Sequence, residues 1–387
     1  MAAPLDLIDD VAAEIFLRLP PDEPEYLVRA SLVCKPWFRL ISDPGFLRRY
    51  RAFHRTPPLL GFMQRRRVIE GDPESRLIPT TAAPLAPNPS FRRALDCRHG
   101  RFLLHGAGKG WNFVVWDPVT DDRKFVPSAD IDWLIYSAAV FCAVKGCDHL
   151  ECHGGPFQVV FIATDDSDDH VKACVYSSET GEWSTPVSLG NDCEVYVKHT
   201  QNAINSGYYG RYYTPYVQPR RGAVIGDEIY FTLRQADAIV KYDLRKNCLS
   251  MIEPPTWSAL NLALMEMEDS SLGFACIEGS GLYLWSRKVN SKGAAEWLQF
   301  RVIEHVTMMI PVANPKDKAY VIGAAESVGV IFVSTGAGLF TIGVNFGQVK
   351  KIDEPGVYFS ILPYMSFYTP DCGAIIAASK AKYSTDI

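Results

Sequence analysis

The sequence predicts an α+β chain of two domains, a three-helix unit over residues 1–55 and an all-β propeller of about six blades over residues 56–387. Three observations carry this. Up to about residue 55, apolar residues recur at helical spacing and Gly45 is the only glycine. Beyond it, short apolar runs are punctuated by Gly, Pro, Asn and Asp. Groups of such runs repeat weakly, at the roughly 40–60 residues expected of propeller blades.

In the helical segment, Val11, Ile15 and Leu19 recur every four residues behind Asp9 and Asp10, whose carboxylates suit the positive end of a first helix. Pro20 and Pro21 end it. Asp22 with Glu25 three residues on makes a capping-box-like start for a second helix reaching about Cys34, with Leu27, Leu32 and Val33 available to its buried face. Pro36 fits the first turn of a third helix that places Trp37, Leu40 and Ile41 on one side. So small a unit buries little apolar surface alone, so it should lean on a partner or on the rest of the chain.

Between Arg48 and Arg67 stand seven arginines and no acid, read as a solvated linker and first strand rather than a nucleic-acid patch. Residues 79–90 hold four prolines and read as an irregular connection. The clearest later unit is Gly222 to Ile252. There Gly226-Asp227 forms a hairpin between Ala223-Val224-Ile225 and Ile229-Tyr230-Phe231, followed by strands around Val240 and around Leu249 to Ile252. Similar turns are expected after Asp117, Tyr176, Asp243, Trp285 and Ile342. Sheets this apolar on both faces must pack against one another, as blades do.

Composition sets limits on function. The 48% hydrophobic and 21% charged content excludes disorder and collagen, and a net charge of −5 offers no bulk attraction for nucleic acid or anionic membrane. Ten cysteines at irregular spacing make no disulfide scaffold. Residues 1–20 carry four carboxylates and one Arg, unlike an export signal, so cytoplasm or nucleus is expected. Val328 to Phe346 is uncharged and long enough to cross a bilayer, but Gly336 and Gly338 split it into two Val/Ile/Phe-rich strands, and no membrane span is expected.

The stretch LIDDVAAEIFLRLP followed by LVRASLVCKPWFRLISDPGF resembles the F-box, and F-box plus a C-terminal kelch-like or F-box-associated propeller resembles many plant F-box proteins. The resemblance implies a non-catalytic substrate receptor of an SCF-type E3 ubiquitin ligase. Its F-box would bind a Skp-type adaptor, and through it a cullin, while the propeller binds an unknown target protein. The positions matching the adaptor-contacting motif are Leu7, Ile8, Val11, Ile15, Leu19, Pro20, Leu27, Val33, Cys34 and Trp37. The family usually opens on Leu-Pro. Here Leu7-Ile8 keeps the apolar contact and loses the rigid turn. Some of these residues, Leu32, Val33 and Trp37 in particular, could instead make the unit's own core. Tyr208, Tyr209, Tyr212, Tyr213 and Tyr216 could form a target surface or an ordinary insertion between blades.

Two alternatives belong to other classes: a propeller enzyme or small-ligand binder of the kelch-oxidase kind, and an F-box interaction module outside the ligase. Enzyme signals are weak. Gly106, Gly108 and Gly110 precede a strand and not a helix, so they make a hairpin turn rather than a phosphate loop. Asp165, Asp166, Asp168 and Asp169 lack the glycine and distal glutamate of a calcium loop. Cys142, Cys147, His149, Cys152 and His153 put five potential zinc ligands within twelve residues. Their spacing is not that of paired knuckles and Cys142 sits in the apolar run Ala138 to Val144. The expectation is therefore a core cysteine beside a loop, with no metal and no cofactor.

Overall fold

The computed structural model describes residues 9–66, 76–106, 112–165, 170–190, 193–205, 215–234, 238–255, 262–290, 294–312, 317–345, 347–356 and 358–369. Among the described residues the N-terminal unit holds four helices where the periodicity predicts three: α1 (Asp9–Phe16), α2 (Pro24–Ser31), α3 (Lys35–Ile41) and α4 (Pro44–His54). The fourth starts on a cap in which the Asp43 carboxylate accepts the backbone N–H of Phe46 at 2.9 Å. The capping box expected at Asp22 and Glu25 does not form. The cap residue of α2 is Glu23, whose side chain makes no capping bond, and Pro24 opens the helix. Phe16, Leu17, Leu27, Ile41, Phe46, Leu47 and Tyr50 form this unit's core.

The rest of the described residues form a ring of six antiparallel sheets. Blade one is β3 (Phe91–Arg98), β4 (Arg101–Gly106), β5 (Phe113–Trp116) and β6 (Arg123–Val126). It follows β1 (Leu59–Arg66) and β2 (Leu77–Pro79), which belong to the last blade. Blade two is β7 (Trp133–Cys142), β8 (Phe157–Asp165), β9 (Val171–Ser177), β10 (Glu182–Trp183) and β11 (Val187–Ser188). After α5 (Glu194–Asn205), blade three is β12 (Tyr216–Val217), β13 (Ala223–Ile225), β14 (Glu228–Arg234), β15 (Ala238–Asp243) and β16 (Cys248–Ile252). Blade four is β17 (Ala263–Glu266), β18 (Leu272–Glu278), β19 (Gly281–Val289) and β20 (Ala295–Ile303), followed by a turn of helix, α6 (Val306–Met309). Blade five is β21 (Tyr320–Ala325), β22 (Val330–Thr335), β23 (Gly338–Gly343) and β24 (Val349–Asp353). The sixth is closed by β25 (Tyr358–Met365), which pairs antiparallel with β1 from the other end of the chain.

Each blade is apolar on both faces because each is sandwiched between two neighbours, and the side-chain alternation of a strand divides its residues between them. Phe62 of β1 faces blade five and Met63 faces blade one. Leu103 of β4 faces blade two, while Phe102 and Leu104 face the closing blade. Six interblade cores of this kind complete the ring.

The hairpin at Gly226 and the blade around it form as expected, and Gly226 takes φ +57°, a conformation that suits glycine. The uncharged run after Val328 is the β22–β23 hairpin, and among the described residues no helix is long and apolar enough to cross a membrane. One expected turn is absent: β19 continues through Trp285 to Val289, where Ser286, Arg287 and Lys288 stay paired with β20. Of the four aspartates, Asp165 pairs with Lys172 at 3.1 Å, and Asp166, Asp168 and Asp169 lie outside the described residues. Gly108 and Gly110 also lie outside them, as do Tyr208, Tyr209, Tyr212 and Tyr213.

A buried ionic cluster ties several blades together. Asp96 of β3 pairs with Arg98 at 3.0 Å and with Arg221 at 3.3 Å, accepts the N–H of Val140 at 3.0 Å, and Arg221 reaches Glu326 at 2.6 Å. Asp96 is fully buried, so these partners offset a large desolvation cost.

Candidate functional site: the exposed face of the helical unit

In α1 the two faces separate cleanly. Ala12, Ala13 and Phe16 point into the unit's core, whereas Val11 and Ile15, one turn apart, are 48% and 50% exposed. The turn joining α2 to α3 adds Leu32 at 76% and Val33 at 65% exposure, with Cys34 exposed beside them. Tyr26 and Phe38 are also exposed. These elements are held together from below, where the Phe16 and Trp37 rings meet edge to face at 4.9 Å. A unit this small showing this much apolar surface has the character of an interface.

The ten residues expected to touch an adaptor divide accordingly. Val11, Ile15, Pro20, Val33 and Cys34 are exposed; Leu19 and Trp37 are half-buried and pack on the core; Leu27, only 1% exposed, is a core residue. Leu27 is therefore a support for the face rather than part of it, because α2 turns it towards Phe16 and Ile41. Leu7 and Ile8 lie outside the described residues. The Leu32 and Val33 side chains, candidates for the internal core, point to solvent. The Tyr50 hydroxyl donates to the Leu19 carbonyl at 2.9 Å and ties α4 to the turn that follows α1; burial pushes this phenol well above its ordinary pKa, so it stays a donor.

The face is carried on a braced mount. Phe367, which follows β25, is buried in the helical unit's core with its ring 6.2 Å from that of Tyr50. Leu150 packs on the same core, and Arg51 of α4 pairs with Glu151 at 2.5 Å. The chain leaves α4, enters β1, and β1 pairs with the strand that leads to Phe367. The helical unit is thereby joined to the blade that closes the ring.

One grouping is tighter than its sequence reading, since Cys142 is buried as expected and also meets the loop ligands. Cys142 is the last residue of β7, and its sulfur, those of Cys147 and Cys152 and a ring nitrogen of His149 all lie within 4.8 Å of one another. The residue taken for a separate core cysteine is thus part of the cluster. The side chain of His153 lies outside the description. Among the described residues this is the grouping that could hold a metal. It sits on the loop bracing the helical unit and assembles no set of His, Tyr and Cys ligands of the kind an oxidase-type propeller requires.

Comparison with known proteins agrees with this architecture. Residues 9–54 match the F-box-like model, and residues 93–371 match the model described as F-box protein AT5G49610-like, beta-propeller. This match is to that family and not to kelch, so the kelch-like part of the expectation has no support from it. An Arabidopsis thaliana relative, "Putative F-box protein At3g10430", is 26% identical over 216 residues, covering 52% of this chain. The chain thus matches about half the length of that relative, 54%. Solved structures with similar shape include a Lactobacillus plantarum protein (10% identity, 76% of this chain and 82% of that one, TM-score 0.41). The β-propeller domain of Cps50 (Swd1) from Myceliophteria thermophila is another (9% identity, 70% and 88%, TM-score 0.37). Scores this low carry no argument.

Proposed function

This chain belongs to the F-box protein AT5G49610-like β-propeller family and carries an F-box-like domain, and on that premise we propose that it is the substrate-recognition subunit of an SCF-type E3 ubiquitin ligase. The architecture is that of an F-box substrate-recognition protein, and such proteins are typically non-catalytic adaptors. In this reading the exposed apolar face of α1 and of the α2–α3 turn docks a Skp-type adaptor, the adaptor bridges to a cullin, and the propeller holds a target protein. Work in the cytoplasm or nucleus belongs to the same reading. The observation that carries it is the outward orientation of Val11, Ile15, Leu32 and Val33 on a unit that has already completed its own core.

No bond need be made or broken by this chain. A receptor that holds a target lysine near a charged ubiquitin carrier raises their effective concentration to about the millimolar range when the tether is short and stiff. Stiffness is therefore the property such a receptor needs. The Phe367 plug, which joins the F-box to the closing blade, and the Arg51–Glu151 pair, which joins it to the β7–β8 loop of blade two, supply it.

Capture of the full-length chain from cells, wild type and Ile15→Glu in parallel, tests the assignment. The expected result is recovery of a Skp-type adaptor and a cullin with the wild type and their loss with the variant. Recovery of neither with the wild type contradicts it.

A further inference from the structure

We propose that Cys142, Cys147, His149 and Cys152 hold one structural zinc ion, and that this ion sets the shape of the loop bracing the F-box against the propeller. Three thiols and an imidazole form a Cys3His donor set, which suits zinc and, with all four positions filled by protein, leaves no place for a substrate. Zinc–sulfur and zinc–nitrogen bonds in a tetrahedral site put sulfurs about 3.8 Å apart and sulfur and nitrogen about 3.6 Å apart. The Cys152 sulfur and His149 Nδ1 stand at 3.7 Å, and all four donor atoms fit within 4.8 Å, so little contraction is needed.

The surroundings of the four donors are built as those of a metal site are. The backbone N–H of Val144 points at the Cys142 sulfur and that of His149 at the Cys147 sulfur, both at 3.4 Å, and such N–H dipoles favour thiolates over thiols. Gly146, at φ +69°, lets the chain turn between the first two cysteines. His149 itself holds φ +59°, an uncommon conformation for a residue with a side chain, and its Nδ1 stands beside the Cys152 sulfur. His99 stacks flat on the His149 ring at 3.8 Å and accepts the N–H of Cys142 at 3.1 Å. At the far end, the Arg101 guanidinium donates to the carbonyls of Cys152 and Gly155. Between the third and fourth ligands lie Leu150 and Glu151, which contact the F-box. A metal joining residues on both sides of them would fix where they stand.

The test uses the full-length chain, purified without a metal-binding tag from cells supplied with zinc. Elemental analysis is expected to find one zinc per chain, and cobalt substitution to give the intense sulfur-to-metal absorption of three thiolates. Cys147→Ser should lower cobalt affinity by more than tenfold, and His99→Phe, which removes a support and no ligand, by about tenfold. Stripping the zinc with a chelator should speed amide exchange in residues 143–156 and in α4. Absence of zinc and of the cobalt–thiolate band in the wild type overturns the proposal, whatever the variants do. So does recovery of two fewer free thiols than the ten cysteines, which reveals a disulfide instead. Unchanged cobalt affinity in Cys147→Ser overturns the ligand set, and zinc removal without effect on α4 overturns the bracing role.

Discussion

Arg51, in the last helix of the F-box, and Glu151, on the loop after the inner strand of blade two, form an ion pair at 2.5 Å across a hundred residues of sequence. The Arg51 side chain is nearly buried and that of Glu151 is not, so the pair closes the edge of a joint whose interior is apolar: Leu150, Tyr50 and Phe367. The F-box is therefore not a bead on a flexible string.

Arg51→Ala should loosen the joint while leaving both folds intact. A partly exposed pair contributes modestly, so a loss of about 1 kcal/mol in stability is expected. The telling measurement is amide exchange, which should rise in α4 and in the loop around Glu151 and stay unchanged in blades three to five.

Phe367→Ala should act on the F-box although it lies at the opposite end of the chain. Emptying a site that is 4% exposed, within the core containing Tyr50 and Leu47, should cost about 3 kcal/mol, and adaptor binding should weaken with it. Denaturant unfolding that follows signals from the F-box separately will show whether the loss falls there.

Asp96→Asn removes the carboxylate shared by Arg98 and Arg221 at the middle of the ring. Taking the carboxylate from buried Arg98, and one of the two from Arg221, which keeps Glu326, should destabilise the propeller by about 3 kcal/mol. Thermal unfolding of the variant should begin in the propeller, with the F-box following.

His105 of β4 shares a hydrogen bond with the Tyr136 hydroxyl of β7, and burial lowers its pKa from the ordinary 6.5 to about 4. Between these values the unfolded chain binds a proton that the folded one does not. Stability should therefore fall as pH drops from about 6.5 to about 4. In His105→Gln, which keeps a polar partner for Tyr136, that part of the slope should disappear. Equal slopes in urea titrations of the two proteins across this window would refute the account of His105.

The four-residue recurrence of Val11, Ile15 and Leu19 made α1 legible, and the hairpin at Gly226 made blade three legible, because both signals are local. Helix α4 escaped notice because its arginines, Arg48, Arg49 and Arg51, with Arg55 just past its end, read as a linker. The usable signal was the apolar spacing of Phe46, Leu47 and Tyr50 behind Asp43. Ring closure by β1 and β25 joins segments some three hundred residues apart, and nothing in either segment alone names the other. The resemblance to the F-box put Ile15, Val33 and Leu27 alike at positions of the adaptor-contacting motif; in the structure Ile15 and Val33 are exposed and Leu27 is buried in the unit's core. Periodicity locates an apolar stripe without saying which of its edges a neighbouring helix covers. Cys142 is buried, as its apolar run predicts, and as the last residue of β7 it also joins the cluster, which the run alone does not show.

Titration calorimetry of the full-length chain with a purified Skp-type adaptor, wild type against Ile15→Glu, tests the central claim most directly. The account predicts one-to-one binding by the wild type and, because a carboxylate would enter an apolar interface at a cost of about 3 kcal/mol, a roughly hundredfold weaker complex for the variant with an unchanged unfolding curve. No binding by the wild type, or equal affinity in the two proteins, would contradict it.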